Sequence, residues 1–273
     1  MATQPDRAAA NEAVPVGAAT HWTDLNVDLG EGYGVYTLGA DGEVLPLVTS
    51  ANVACGFHAS DPMMMRRTVE LARRAGVAIG AHPSYPDRVG FGRRAMGLTP
   101  EEIEADLIYQ VGALRGFCTA AGVPLHHVKA HGALYNRAMV ERTTADAVVR
   151  AIAAVDPSLI VYAQPASALA EAALAAGLTV AREGFPDRSY EADGTLSPRQ
   201  RPASVIDNPT VVAERAVQMA THHRVYSVAG DEIELRVDTL CVHGDNPAAL
   251  AIVRTVREAL TAAGVTLQAP SAR

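Results

Sequence analysis

The sequence has almost no lysine. Of 23 basic residues in a chain of 273, only Lys129 is lysine, and the others are arginine. Aromatic residues are scarce too, at 5%, and no basic stripe alternates with them. A nucleic-acid surface is therefore not expected, and the formal charge of −7 points the same way. No uninterrupted apolar stretch reaches the ~18–20 residues of a membrane span. The opening MATQPDRAAANEAVPVGAAT holds acidic residues and no apolar signal core, so a soluble, cytoplasmic protein without a membrane partner is expected. The cysteines are Cys55, Cys118 and Cys241, with no C-x-x-C, which suggests neither a disulfide framework nor a compact zinc site. The sequence has no Gly-Lys pair, which excludes a P-loop. It also lacks a G-x-G-x-x-G after a strand and a G-x-S-x-G elbow, arguing against a dinucleotide site and a serine nucleophile of that type.

Residues 1–21 are rich in Ala, Pro and Gly without periodicity, and a mobile extension is expected there. From Trp22 onward one mark recurs: Ala75-Gly76-Val77, Ala121-Gly122-Val123, Ala176-Gly177-Leu178 and Ala263-Gly264-Val265. Glycine directly after a helix accepts the left-handed backbone that closes it, so each mark reads as helix, stop, strand. The opposite boundary is equally regular. Asp61-Pro62, Thr99-Pro100, Asn208-Pro209 and Asn246-Pro247 each place a capping side chain before a proline that has no amide hydrogen to lose.

Between these marks lie apolar runs at 25–29, 51–55, 77–81, 126–130, 159–163, 178–181 and 239–242. Strands alternating with capped helices argue for a parallel sheet with helices outside it. Seven or so such units without a linker favour one closed β/α barrel over residues 22–273, TIM-like, with seven strands or a distorted ring. An open doubly wound sheet is the alternative. The segment 225–237, centred on Ala229-Gly230-Asp231, breaks the rhythm and reads as a hairpin.

Polar residues follow almost every strand: Asp28 and Glu31 after the first, His58 after the second, His82 after the third, Lys129 and His131 after the fourth, and His243 with Asp245 after the last. In a barrel the carboxyl ends of the strands converge on one mouth, so these groups would line one pocket. A single loop histidine is usually structural, and His21, His126, His127, His222 and His223 are read that way; the shared position sets the other four apart. Asp28 and Glu31 suit proton transfer or cation binding. Lys129 stands where every other basic position is arginine, which suggests a functional ammonium: an anchor for a carboxylate or phosphate, or an acid–base partner. On that view Lys129→Arg would fold but not turn over.

The blocks DLNVDLGEGYG, SANVACGFHASDP, GAHPSYPDRVGFGR, VKAHGALYN, FPDRSYEADGTLSPR and CVHGDN, in this order from about Asp24 to Gln268, resemble the lactam-utilisation (LamB/YcsF) family, described as the A subunits of prokaryotic 5-oxoprolinase. Ser60 and Ala130 depart from the family's usual Gly and Pro, and a local backbone effect is expected. The resemblance implies a barrel-like fold and ATP-dependent opening of 5-oxoproline (pyroglutamate) to glutamate, together with partner subunits B and C.

A lactam is a resonance-stabilised amide. Its opening needs carbonyl activation, a base for water, an acid for the ring nitrogen and a cation for the substrate carboxylate. Asp28, Glu31, His58, His82, His131 and His243 could move protons, and Lys129 or Arg188 could hold the carboxylate. Asn26, Asn52 and Asp245 are candidate substrate contacts, and Arg188 and Asp193 fall in a long loop that reads as a lid. ATP, with its Mg2+, is expected mainly on the partners, and a metal requirement of this chain is open. Two rivals remain: a metal-dependent deacetylase or amidohydrolase on a barrel like that of the carbohydrate deacetylases, and a non-catalytic chain that only binds the lactam.

Overall fold

The computed structural model describes residues 21–243 and 248–271. The expected N-terminal extension, the Asn246-Pro247 cap and Asp245 lie outside the described residues, His21 excepted. In chain order the elements are β1 (Trp22–Leu29), α1 (Asp41–Val44) with a 3-10 turn (Leu45–Leu47), β2 (Ser50–Ala54), α2 (Pro62–Ala75), β3 (Ala78–His82), α3 (Pro100–Ala120) and β4 (His127–Val128). Then come α4 (Gly132–Val140), α5 (Arg142–Val155), β5 (Ile160–Ala163), α6 (Ala168–Ala175), β6 (Val180–Gly184), and α7 (Pro209–Val217), which runs on into a π-turn (Gln218–His222). The chain closes with β7 (Arg224–Tyr226), β8 (Glu232–Glu234), β9 (Thr239–Val242), α8 (Ala249–Ala262) and β10 (Thr266–Leu267).

The boundary marks act as their chemistry requires. Asp61 Oδ1 accepts from the amides of Met63 and Met64, Thr99 and Glu102 form a reciprocal capping box, and Asn208 caps α7. Gly76 closes α2 at φ +68°, and Gly122, Gly177 and Gly264 take the same left-handed backbone. Ser60, a non-glycine residue, sits at φ +72°. A side chain there costs on the order of 1 kcal/mol of backbone strain.

Strands β1, β2, β3, β4, β5, β6 and β9 pair in parallel in that order, and β9 pairs back to β1 over Asp24↔Thr239 to Val27↔Val242, closing a seven-stranded barrel. β10 adds to the start of β1 through Trp22↔Thr266. The irregular segment is the expected hairpin, with Val225 opposite Ile233 in antiparallel β7 and β8. β4 is shorter than its apolar run, but Lys129 and His131 still donate their amides to the carbonyls of Ala81 and Pro83, so the extended course persists to His131.

The strands alternate with period two, and the two faces differ in kind. Leu25, Val27 and Leu29 of β1, Val53 of β2, Ile79 of β3, Val161 of β5 and Leu240 of β9 join the helices' buried residues in one continuous core. The other face is polar. Tyr162 of β5 reaches across the barrel to Asp24 of β1 (3.0 Å), Asn26 of β1 donates to Glu183 of β6 (3.3 Å), and Lys129 beyond β4 reaches Cys241 of β9 (2.8 Å). These contacts join strands that are not neighbours, so they run through the lumen. TIM-like barrels are commonly filled by branched apolar side chains. Here Ile160, Tyr162 and Ala181 form a small apolar cluster of their own beside a hydrogen-bonded network.

Gly80 belongs to this lumen. A Cβ at Gly80 would overlap the His127 imidazole, which fills the space above it and bonds Asn52 Oδ1 through Nε2 (2.7 Å). Gly80→Ala is expected to lower stability by about 1–3 kcal/mol through overpacking. Urea unfolding will show a lower midpoint with an unchanged slope.

Candidate active site

The carboxyl ends of the strands open onto a cavity of ≈ 420 Å3. Asp28, His82, Lys129, His131 and His243 all line it, so five of the expected groups do meet at one mouth. Arg188 also lines it, with Arg93, Tyr135, Phe185 and the loop from Thr195 to Gln200. The size lies in the range of small-molecule sites.

Lys129 is the hub of the floor. Its ammonium lies 3.0 Å from Asp28 Oδ1 and 3.0 Å from Glu183 Oε1, and it donates to Asn26 Oδ1 (3.3 Å) and Cys241 Sγ (2.8 Å). Burial alone would depress its pKa, but the Asp28 and Glu183 carboxyl groups beside it outweigh that and hold it well above the usual lysine range. The same balance holds Asp28 well below the carboxylate range: burial raises it, and His82 and Lys129 more than reverse the effect. Burial keeps the Cys241 thiol protonated despite the ammonium beside it. Lys129 is therefore held as a cation between the Asp28 and Glu183 carboxyl groups, a placement that favours the electrostatic role over the acid–base one.

Asn26 and Asn52, expected as substrate contacts, lie beneath the cavity rather than along it. Asn26 Nδ2 donates to Glu183 Oε1 and Thr239 Oγ1, while Asn52 Nδ2 donates to Asn26 Oδ1 and Asp28 Oδ1. Their amides are fully used in orienting the two carboxylates. Asp193 is also displaced from its expected role. Its carboxylate accepts from the amide (3.0 Å) and hydroxyl (2.7 Å) of Thr195 in an exposed turn of the long loop, outside the cavity lining. Arg188 is buried, and its guanidinium donates to the carbonyls of Ser204 (3.1 Å) and Ser197 (2.6 Å), bracing that loop over the mouth. Burial, reinforced by Arg199, brings its pKa down to about 10.

His243 is held by a residue that the sequence did not single out. Asp187 accepts from the backbone amide (3.1 Å) and Nδ1 (2.7 Å) of His243. That hydrogen bond keeps the Nδ1 hydrogen directed at Asp187 and turns Nε2 to the cavity as the atom that can take up and release a proton. Burial would raise the Asp187 carboxyl, but His243 brings it below the usual range, so it is anionic. An Asp–His pair beside the ionised Asp28 is suited to general acid–base work.

On the other side of the mouth His82, His131, His58 and Glu31 are packed together. His58 stacks on His131 with ring centroids 4.0 Å apart, and His82 meets His131 edge-on at 4.8 Å. Their ligand atoms, with one from Glu31, all lie within 4.8 Å of one another; Asp28, Cys241 and His243 form a second such set. Glu31 and His58 stand behind His131, outside the cavity lining.

Burial first, then the nearest imidazole or Lys129 charges, pushes His58, His127 and His131 well below the usual histidine range. Each stays neutral in the fold where an unfolded histidine would be charged. Below the unfolded pKa of about 6.5 the unfolded state thus binds more protons, and stability falls with pH. Their contribution is complete above about pH 6.5 and is lost progressively below it. The carboxyls of Asp24, Asp41 and Asp106, raised by burial, act in the opposite sense, but of these groups only the three histidines are displaced far from their ordinary range. In chelating buffer the urea midpoint is expected to be lower at pH 5.5 than at pH 7.5; an equal or higher midpoint would refute this.

Fold and mouth together define a β/α-barrel protein with a small-molecule site rich in proton-transfer groups at the carboxyl ends of its strands. The LamB/YcsF family model matches residues 23–273, and the chain belongs to that family. It is 55% identical over 249 residues to the 5-oxoprolinase A subunit of Symbiobacterium thermophilum, covering 91% of this chain and 95% of that one. It is 51% identical over 246 residues to the protein of the same name from Thermus thermophilus, covering 90% and 98%. The crystal structure of a lactam utilization protein from Thermus thermophilus superposes with a TM-score of 0.87 at 49% identity, covering 91% of this chain and all of that one. Among the described residues no helix is long and apolar enough to cross a membrane.

Proposed function

We propose that this chain is the A subunit of an ATP-dependent 5-oxoprolinase, which opens the lactam of 5-oxo-L-proline to L-glutamate as ATP is hydrolysed to ADP and phosphate. It works with subunits B and C in the cytoplasm. The observation that carries this reading is the likeness, over nearly the full length of both chains, to proteins that bear the name of the 5-oxoprolinase A subunit.

The chemistry of the mouth agrees with a hydrolytic half-reaction. The partners bind ATP with its Mg2+ and activate the lactam carbonyl, since this chain has no P-loop. His243, oriented by Asp187, takes a proton from water and delivers one to the departing ring nitrogen. Arg93 and Arg188 on the cavity wall supply positive potential for the substrate carboxylate. Asp28, held by Lys129 and Asn52, places a fixed negative charge on the floor, facing positive charge that develops as water is deprotonated.

Glutamate formation from 5-oxoproline, assayed with ATP and each of the three chains omitted in turn, tests this reading. Glutamate should require all three chains and ATP. Equal glutamate formation without this chain would refute the assignment, and retention of full activity by His243→Gln would reduce the chain to a binding component.

A further inference from the structure

His82 and His131 turn their inner ring nitrogens toward each other. His82 Nδ1 lies 2.8 Å from the Lys129 carbonyl, which can only accept, so Nδ1 carries a hydrogen, and Nε2 faces both His131 Nδ1 and Asp28 Oδ2, the latter at 3.4 Å. His131 Nε2 donates in the same way to the Phe91 carbonyl (2.8 Å), leaving a lone pair on Nδ1. These two nitrogens are 2.9 Å apart. His58 is 1% exposed, and neither of its ring nitrogens makes a hydrogen bond. Its Nε2 stands 3.4 Å from Glu31 Oε1, which is 3.8 Å from His131 Nδ1.

Ring nitrogens that face each other beside a carboxylate are held by a proton or a metal ion between them, and a buried imidazole without a hydrogen bond costs about 1–3 kcal/mol. We propose that Glu31, His58, His82 and His131 bind a divalent transition-metal ion, with zinc the best match. A tetrahedral ion with ligands at about 2.0–2.1 Å sets ligand–ligand separations of about 3.3–3.4 Å. The observed 2.9, 3.4 and 3.8 Å bracket that spacing. Metal-ligating histidines commonly fix the outer N–H on a backbone carbonyl, as His82 and His131 do. Because His58 lies parallel to His131, at 8°, its ring must turn to complete the set.

Imidazole-rich sites select zinc, nickel or copper over magnesium, so this ion is distinct from any Mg2+ that accompanies ATP. His82 and His131 line the cavity, which puts the ion at its wall. The site stands on this geometry whether or not the lactam is the substrate.

Full-length protein stripped with chelator and dialysed against zinc should take up about one ion per chain. Its cobalt derivative should show the visible bands of low-coordinate Co(II), and X-ray absorption should find two or three imidazoles in the first shell. His82→Gln and His131→Gln should each weaken binding at least tenfold and abolish the zinc-induced rise in Tm. Failure of stripped wild-type protein to bind zinc or cobalt at micromolar concentration would overturn the proposal. So would a first shell of oxygen alone, or undiminished uptake by a folded His82→Gln/His131→Gln double variant. The wild-type cobalt spectrum decides the matter even if the variants do not fold.

Discussion

Lys129→Met is expected to cost about 3–5 kcal/mol of folding stability, because it leaves two carboxylates buried without their cation. Asp28 and Glu183 each lie 3.0 Å from the Lys129 ammonium, and all three side chains are almost wholly excluded from water. The pair needs its cation more than the cation needs either partner. Arginine does not rescue the site. The cage formed by Asp28, Glu183, Asn26 and Cys241 encloses a compact ammonium, and a planar guanidinium with one more heavy-atom layer would push these strands apart. Lys129→Arg is therefore also expected to lower stability, whereas the sequence alone suggested a variant that folds. Urea unfolding of Lys129→Met, with and without Asp28→Asn, checks this. The double variant should recover part of the loss, and a loss below about 1 kcal/mol for Lys129→Met alone would show that the charges are solvated.

The second large effect is on turnover. His243→Gln should lower kcat of the reconstituted enzyme by about 10^2–10^4-fold, the usual contribution of a positioned acid–base group. KM should change little, because Gln keeps the volume and can still hydrogen-bond Asp187. Asp187→Asn should also depress kcat, since an amide can donate to Nδ1 and shift the ring hydrogen to Nε2, where catalysis needs a lone pair. Steady-state kinetics with far-UV circular dichroism as a folding control separates these outcomes. A rise in KM at constant kcat would make His243 a binding residue.

The alternation of helix stops and capped prolines made the barrel legible, because Gly76, Thr99 and Asn208 mark boundaries by local chemistry alone. Strand ends were legible for the same reason, and with them Asp28, His82, Lys129, His131 and His243. The lumen was less so. Apolar residues facing the helices were read as strands, while the polar residues between them, in DLNVDL and HVK, were not read as a face of their own. That period-two pattern was the signal for Asp24 and His127. Asp187 and Tyr135 carried no such signal: Asp187 reaches His243 across 56 residues, and Tyr135 donates to Glu183 from a helix (2.9 Å). Asp193 looked similar to Arg188 in sequence, yet only Arg188 turns inward, because its guanidinium binds the loop's carbonyls while Asp193 caps a turn.

The division of labour between this barrel and its partners is the central claim. A rapid-quench experiment with all three chains, ATP and 5-oxoproline, following ADP and glutamate separately, tests it most directly when wild-type protein is compared with His243→Gln. The variant should still allow ADP to form in the first turnover while glutamate release falls at least a hundredfold. Glutamate release at the wild-type rate would contradict that division.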